Sequence, residues 1–273
     1  MRNLLCTALI LSFVFVACSP NNVTQDNSLK KYFDEEKVDG CFGLFDNGQG
    51  NFTIYNLVRY RDSAYLPAST FKIVNSLIGI QTGRVQDTST VIPWDGVVRE
   101  RTELNQDLNM MQAFHLSSVP WYQELARRIG KDTMQKWLDT LGYAALHGRA
   151  IVKSIDHFWL DNSIKISADE QLGLAKRLYF DQLPFYTRTQ SIVKRMMLQE
   201  ENSNYKLSYK TGWGNMDNGY SLGWVVGWIE ENGHVYFFVL QLESPDPKLD
   251  IAAARIKILD KILRQLGFKE GKK

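Results

Sequence analysis

The strand-forming stretches of this chain lie near its two ends, and the long middle reads as helix. That arrangement limits the fold more than any other feature. Early on, GCFGLFD and NFTIYNLV are rich in apolar and aromatic residues, with NGQG between them, which marks a hairpin. Near the other end, SLGWVVGWIE and HVYFFVLQLE flank ENG and mark a second hairpin, with KLSYKTG as a short strand just before it. Between the two lie STFKIVNSLIGIQTG, VPWYQELARRIG, KDTMQKWLDTLG, SADEQLGLAKRLYF and RTQSIVKRMMLQE, which read as helices, several of them stopping at glycine. The last segment, DIAAARIKILDKILRQLGF, has helical periodicity to Gly267. Strands from both ends then share one sheet. The expectation is an α+β fold: a five-to-seven-stranded antiparallel sheet flanked by terminal helices, with a mostly helical insertion. Residues 31–66 and 203–268 form the sheet part and 67–202 the helical part, with the functional cleft between them.

The first residues read as targeting sequence. MRNLLCTALILSFVFVACSP has a basic start at Arg2 and an apolar run from Leu4 to Ala17, too short to span a membrane and suited to a signal peptide over residues 1–17. Val16, Ala17 and Cys18 resemble a bacterial lipobox, which implies lipidation of Cys18 and a periplasmic protein anchored to a bacterial membrane. Residues 18–30 read as a polar tether. Of three cysteines, Cys6 leaves with the signal and Cys18 is acylated, so Cys41 stands alone, without an internal disulfide. The net charge is +2 with no basic stripe, which argues against nucleic-acid binding. No sequence signal fixes an oligomeric state.

Chemistry is suggested by a lysine in an apolar setting. Lysines are rarely buried unless something pairs with them or changes them. In PASTFKIVNSLIG, Ser69 and Lys72 are three apart, so on a helix they share a face. The Ser-x-x-Lys pattern occurs four times (at Ser28, Ser69, Ser191 and Ser203), and only the Ser69 copy is wrapped in apolar residues. Ser117-x-Val119 comes later, at a helix start where Ser117 or Ser118 could serve only as a cap. Lys210-Thr211-Gly212 ends a strand, which by itself reads as a glycine turn. His115, His147, His157 and His234 show no metal-ligand spacing, and no Gly-x-Ser-x-Gly elbow is present, so neither a metal site nor a hydrolase triad of that kind is expected. Trp224 and Trp228 alternate on a strand and read as core.

In order and spacing these motifs resemble the serine penicillin-recognising enzymes. PASTFK, SxV and KTG, together with VPWYQELARRIG, DHFWLDNSIKISADEQ and LGWVVGWIEENGHVYFFVLQL, resemble the class D (oxacillin-hydrolysing) serine β-lactamases over roughly residues 40–268. The resemblance implies hydrolysis of β-lactams, with Ser69 as nucleophile and Lys72 carboxylated by carbon dioxide to N6-carboxylysine, the general base. It implies that Trp159 donates to that carboxylate and that Ser117 and Lys210 relay protons. The oxyanion would sit between the N–H groups of Ser69 and Trp213. Thr211, Gly212 and Arg255 would meet the substrate, and Val119 and Leu160 would line the apolar wall with Phe71. Carbon dioxide or bicarbonate is the only small molecule needed, and no metal is. One departure stands out: Tyr143-Ala144-Ala145 occupies the place of the family's Tyr-Gly-Asn, which leaves the shape of that loop open. Three other readings share some of these features: a penicillin sensor domain that stays acylated, a cell-wall peptidase, and an envelope lipoprotein that only binds peptidoglycan.

Overall fold

The computed structural model describes residues 22–273; the signal segment and Cys18 lie outside the described residues. The chain opens with β1 (Val23–Gln25), α1 (Lys30–Glu35), β2 (Asp39–Asp46), β3 (Asn51–Tyr55), α2 (Leu57–Asp62) and β4 (Ala64–Tyr65). A short 3-10 helix, Ala68–Phe71, leads into α3 (Lys72–Gln81). Next come β5 (Val91–Ile92), β6 (Leu108–Asn109), α4 (Met110–His115), α5 (Val119–Ile129), α6 (Lys131–Leu141), β7 (Ile166–Ser167), α7 (Ala168–Tyr179) and α8 (Thr187–Met197). β8 (Leu198–Glu201), β9 (Tyr205–Asn215), β10 (Ser221–Glu231), β11 (His234–Ser244) and α9 (Ile251–Gln265) complete the order.

The α+β architecture is present, built on a seven-stranded sheet in the order β1-β3-β2-β11-β10-β9-β8. Strands from the two ends meet where β2 pairs antiparallel with β11, Gly43 opposite Val239. The sheet is mixed, not wholly antiparallel, because β1 runs parallel to β3 with Val23 opposite Phe52. Residues 23–29, read from sequence as the end of a tether, are therefore part of the fold: Leu29 is fully buried, and Asp26 caps the turn before α1 by accepting from the Ser28 N–H. The stretch LQE, read as the end of a helix, is extended instead. It starts β8, which covers the outer edge of β9.

Alternation along the central strands splits the core between the two faces of the sheet. On β10, Trp224, Val226 and Trp228 join the core beneath the helical middle, while Val225 and Ile229 join the core beneath α1 and α9. Both faces are covered, so β10 and β11 read as nearly continuous apolar runs. Each large side chain fully buried this way contributes about 1.5–3 kcal/mol. α3 lies inside the helical layer, packed on α5 and α8, and Lys72 to Ile80 are all buried along it. A helix buried on every side is a stiff mount for what its first turn carries.

Candidate active site

Ser69 lies on the 3-10 turn that opens into α3, so it and Lys72 face the same way at the amino end of a helix. The turn is pinned from several directions. Ala68 takes a left-handed backbone conformation (φ 48°), a conformation costly for a residue with a Cβ, and its N–H donates to the Trp159 carbonyl at 3.1 Å. Thr70 Oγ1 donates to the Pro67 carbonyl at 2.7 Å and accepts from Gln171 Nε2 at 2.8 Å. On the other side β9 lies close. A Cβ on Gly212 would sit 3.1 Å from the Pro67 carbonyl oxygen and 3.2 Å from Thr70 Cγ2, and one on Gly214 would sit 2.9 Å from Leu66 Cδ1. The glycines let the strand approach the nucleophile turn almost backbone to backbone.

Lys72 is fully buried, and its Nζ donates to Ser69 Oγ at 2.7 Å. The ring of Tyr122 lies 5.4 Å from the amine, and among the described residues no carboxylate pairs with it. Burial, reinforced by the charge of Arg101, pulls its pKa from 10.5 down to about 7. Much of the amine is thus neutral near pH 7 and able to act as a base or nucleophile. Phe71 packs beside it, stacked on the buried Trp159 at a ring separation of 5.4 Å. Among the described residues the buried Trp159 indole N–H has no acceptor, nor has the buried hydroxyl of Tyr143, which sets its ring edge-on to Phe71. A buried N–H without an acceptor is costly and uncommon, and it fits a site built to receive an anionic oxygen.

The second pair comes from the loop between α4 and α5. Ser118, not Ser117, caps α5, its Oγ accepting from the Trp121 N–H at 3.4 Å. Ser117 takes a left-handed conformation (φ 55°) between the two helices, and its Oγ accepts from Lys210 Nζ at 3.0 Å. Lys210 is buried on β9, also donates to the Thr211 carbonyl at 3.0 Å, and lies 5.4 Å from the Phe114 ring. Burial first, then the charges of Lys72, Arg255 and Arg101, push its pKa well below that of an ordinary lysine. Two amines thus stand behind two hydroxyls, each with its pKa lowered first by burial.

Arg255 reaches from α9 to β9, where Nη1 donates to the Gly212 carbonyl; its Nε is buried without a partner among the described residues, and burial lowers its pKa to about 10. Ser69, Ser117, Val119, Leu160, Thr211, Trp213 and Arg255 all line one cleft of about 740 Å³. Lys72, Lys210 and Trp159 lie beneath its floor, and Gly212 contributes the carbonyl that orients Arg255. Sequence reasoning did not single out Arg101, which lines the same cleft, nor Tyr122 and Gln171, which shape the niche of Lys72 and the turn of Ser69.

Residues 22–266 match the penicillin binding protein transpeptidase domain family. Beta-lactamase OXA-48 of Klebsiella pneumoniae is 37% identical over 258 residues, covering 94% of this chain and 94% of that protein. The probable beta-lactamase YbxI of Bacillus subtilis (strain 168) is 40% identical over 224 residues, covering 81% of this chain and 82% of that one. Among solved structures, the class D beta-lactamase YbXI from Nostoc superposes with a TM-score of 0.82 at 36% identity, covering 89% of this chain and 99% of its own.

Proposed function

The chain belongs to the class D serine β-lactamases, and on that premise we propose that it opens β-lactam rings through an acyl-enzyme on Ser69, with Lys72 carboxylated as its base. The observation that carries this reading is the buried, uncompensated Lys72 amine 2.7 Å from Ser69 Oγ. A neutral amine adds carbon dioxide, an N–C bond forming as a proton leaves. The modified side chain would supply a carboxylate base for both acylation and deacylation. Phe71, Trp159, Val119 and Leu160 would keep bulk water from it, and the unpartnered Trp159 N–H is suited to hold its oxygen.

In this reading Ser69 Oγ attacks the ring carbonyl and the C–N bond breaks, leaving an ester on Ser69. The N–H groups of Ser69 and Trp213 receive the carbonyl oxygen as charge develops on it. Lys210 passes a proton through Ser117 to the departing ring nitrogen, a route that the 3.0 Å contact between them supports. Arg255 and Thr211 take the substrate's ring-adjacent carboxylate, where a guanidinium can pair in two-point fashion. A water then splits the ester and frees the enzyme. Export through residues 1–17 and a lipid on Cys18 belong to the same reading; mass spectrometry of the mature amino terminus tests them.

The deciding experiment follows a chromogenic cephalosporin with purified protein. Sustained turnover, faster when bicarbonate is restored to depleted buffer, is expected. A single stoichiometric burst would mean that the acyl-enzyme persists and would overturn the hydrolytic reading. Indifference to bicarbonate after depletion would overturn the carboxylated lysine.

A further inference from the structure

The charged groups around the cleft are unevenly matched. Asp250 is the one acidic residue in its lining, and its carboxylate is already used to cap α9, accepting from the Ala253 N–H at 3.0 Å. Four basic residues line it as well. Arg99 is neutralised by a two-point pair with Asp95 at 2.8 and 2.6 Å. His115 is held toward its neutral form by burial and by Lys210. Arg255 is fixed to β9 by the Gly212 carbonyl.

Arg101 remains. Its Nε pairs with Glu103 at 2.9 Å and its Nη2 donates to the Leu116 carbonyl at 2.9 Å, while Nη1 has no hydrogen-bond partner among the described residues. Glu103 takes only the Nε of Arg101, whereas Asp95 takes both terminal nitrogens of Arg99. Held at the residue before Ser117, the guanidinium has a fixed place and an unused donor. Its charge reaches the reacting groups, since it helps lower the pKa of both Lys72 and Lys210. Arg101 and Arg255 stand on different walls, one tied to the loop ahead of α5 and the other to β9.

We propose that Arg101 is a second anion-binding point of the cleft, so that β-lactams bearing an additional carboxylate on their side chain are favoured over those bearing the ring-adjacent carboxylate alone. The inference rests on the hydrolytic reading above and specifies its substrate class. A fixed, partly exposed guanidinium suits such a group through a charge-assisted hydrogen bond and through attraction during approach.

The test compares a penicillin carrying a side-chain carboxylate with the otherwise identical penicillin lacking it, in the native protein, Arg101→Gln and Arg101→Lys. In the native protein the ratio of kcat/KM values, dianion over monoanion, should fall as salt rises. In Arg101→Gln that ratio should drop about fivefold, mainly through a higher KM for the dianion, and Arg101→Lys should recover part of it. Loss of the cation should also move the acid limb of the rate profile to higher pH, because removing a positive charge raises the pKa of every titrating group nearby. An unchanged ratio in a variant that still hydrolyses both penicillins would overturn the inference and leave the hydrolytic reading standing. If the native protein turned over neither penicillin, the hydrolytic reading itself would fail.

Discussion

Lys72 and Lys269 both lose most of their exposure on folding, and they end in opposite states. Lys72 sits at the start of α3, paired with no carboxylate among the described residues, and burial brings its pKa to about 7. Lys269 follows α9 with its side chain 8% exposed, between Asp260 at 2.9 Å and Glu200 at 3.1 Å and 5.3 Å from the Tyr205 ring. Burial pulls Lys269 down too, but hydrogen bonds and charge from Asp260 and Glu200 outweigh it and leave its pKa raised. The difference shows that burial alone does not make a lysine reactive. The withheld counter-charge does, and a chain that omits one near α3 while supplying two near its end keeps one amine for chemistry and the other for cohesion.

Four measurements would sharpen or break this contrast. The largest effect is expected for Lys72→Met, which should lower kcat by about three orders of magnitude or more, whereas Lys269→Met should stay within about twofold. Comparable losses in both variants would erase the distinction. Next is stability against pH in carbon-dioxide-depleted buffer. The folded-state pKa of Lys72, about 7, lies below the 10.5 of an ordinary lysine, so the folded state binds fewer protons in that interval and weakens as pH falls through it. Raising the pH from about 7 to 10 should stabilise the native protein relative to Lys72→Met by about 3 kcal/mol, read from urea unfolding of both. Lys269 has the opposite sign: its contribution is complete below the ordinary lysine value and is lost only as pH climbs through its raised one.

Third, Trp159→Phe keeps the stack on Phe71 and removes the unpartnered N–H. A loss of about 10–100-fold in kcat at ambient carbon dioxide is expected, partly recovered by added bicarbonate. A variant as fast as the native protein would show that the indole serves packing alone. The smallest effect belongs to Lys269→Met, about 1 kcal/mol of stability at neutral pH, because Glu200 and Asp260 remain partly wetted.

The sequence was most informative where periodicity is long. The hairpins β2–β3 and β10–β11 and the helices α3, α5 and α9 are each long enough for their patterns to stand clear of noise. β1, three residues long, and β8, four, are too short to show alternation, and both exist because a neighbouring strand offers an open edge. At the site, Ser69, Lys72, Ser117 and Lys210 stood out through spacing and order. Which of Ser117 and Ser118 caps α5 did not. It is decided by the left-handed backbone at Ser117, which leaves Ser118 to cap α5. Nothing in the local sequence marked the contacts that Gln171 and Arg101 make. Gln171 reaches Thr70 from 101 positions away, and Arg101 matters only because its loop folds back to the carbonyl of Leu116.

The approach of β9 to the nucleophile turn carries a last consequence. With Gly212 against the Pro67 carbonyl and the Thr70 methyl, the strand and the turn meet with almost no slack between them. One methyl group at position 212 would press the turn aside by a few tenths of an ångström, a shift felt in turnover before it is felt in folding.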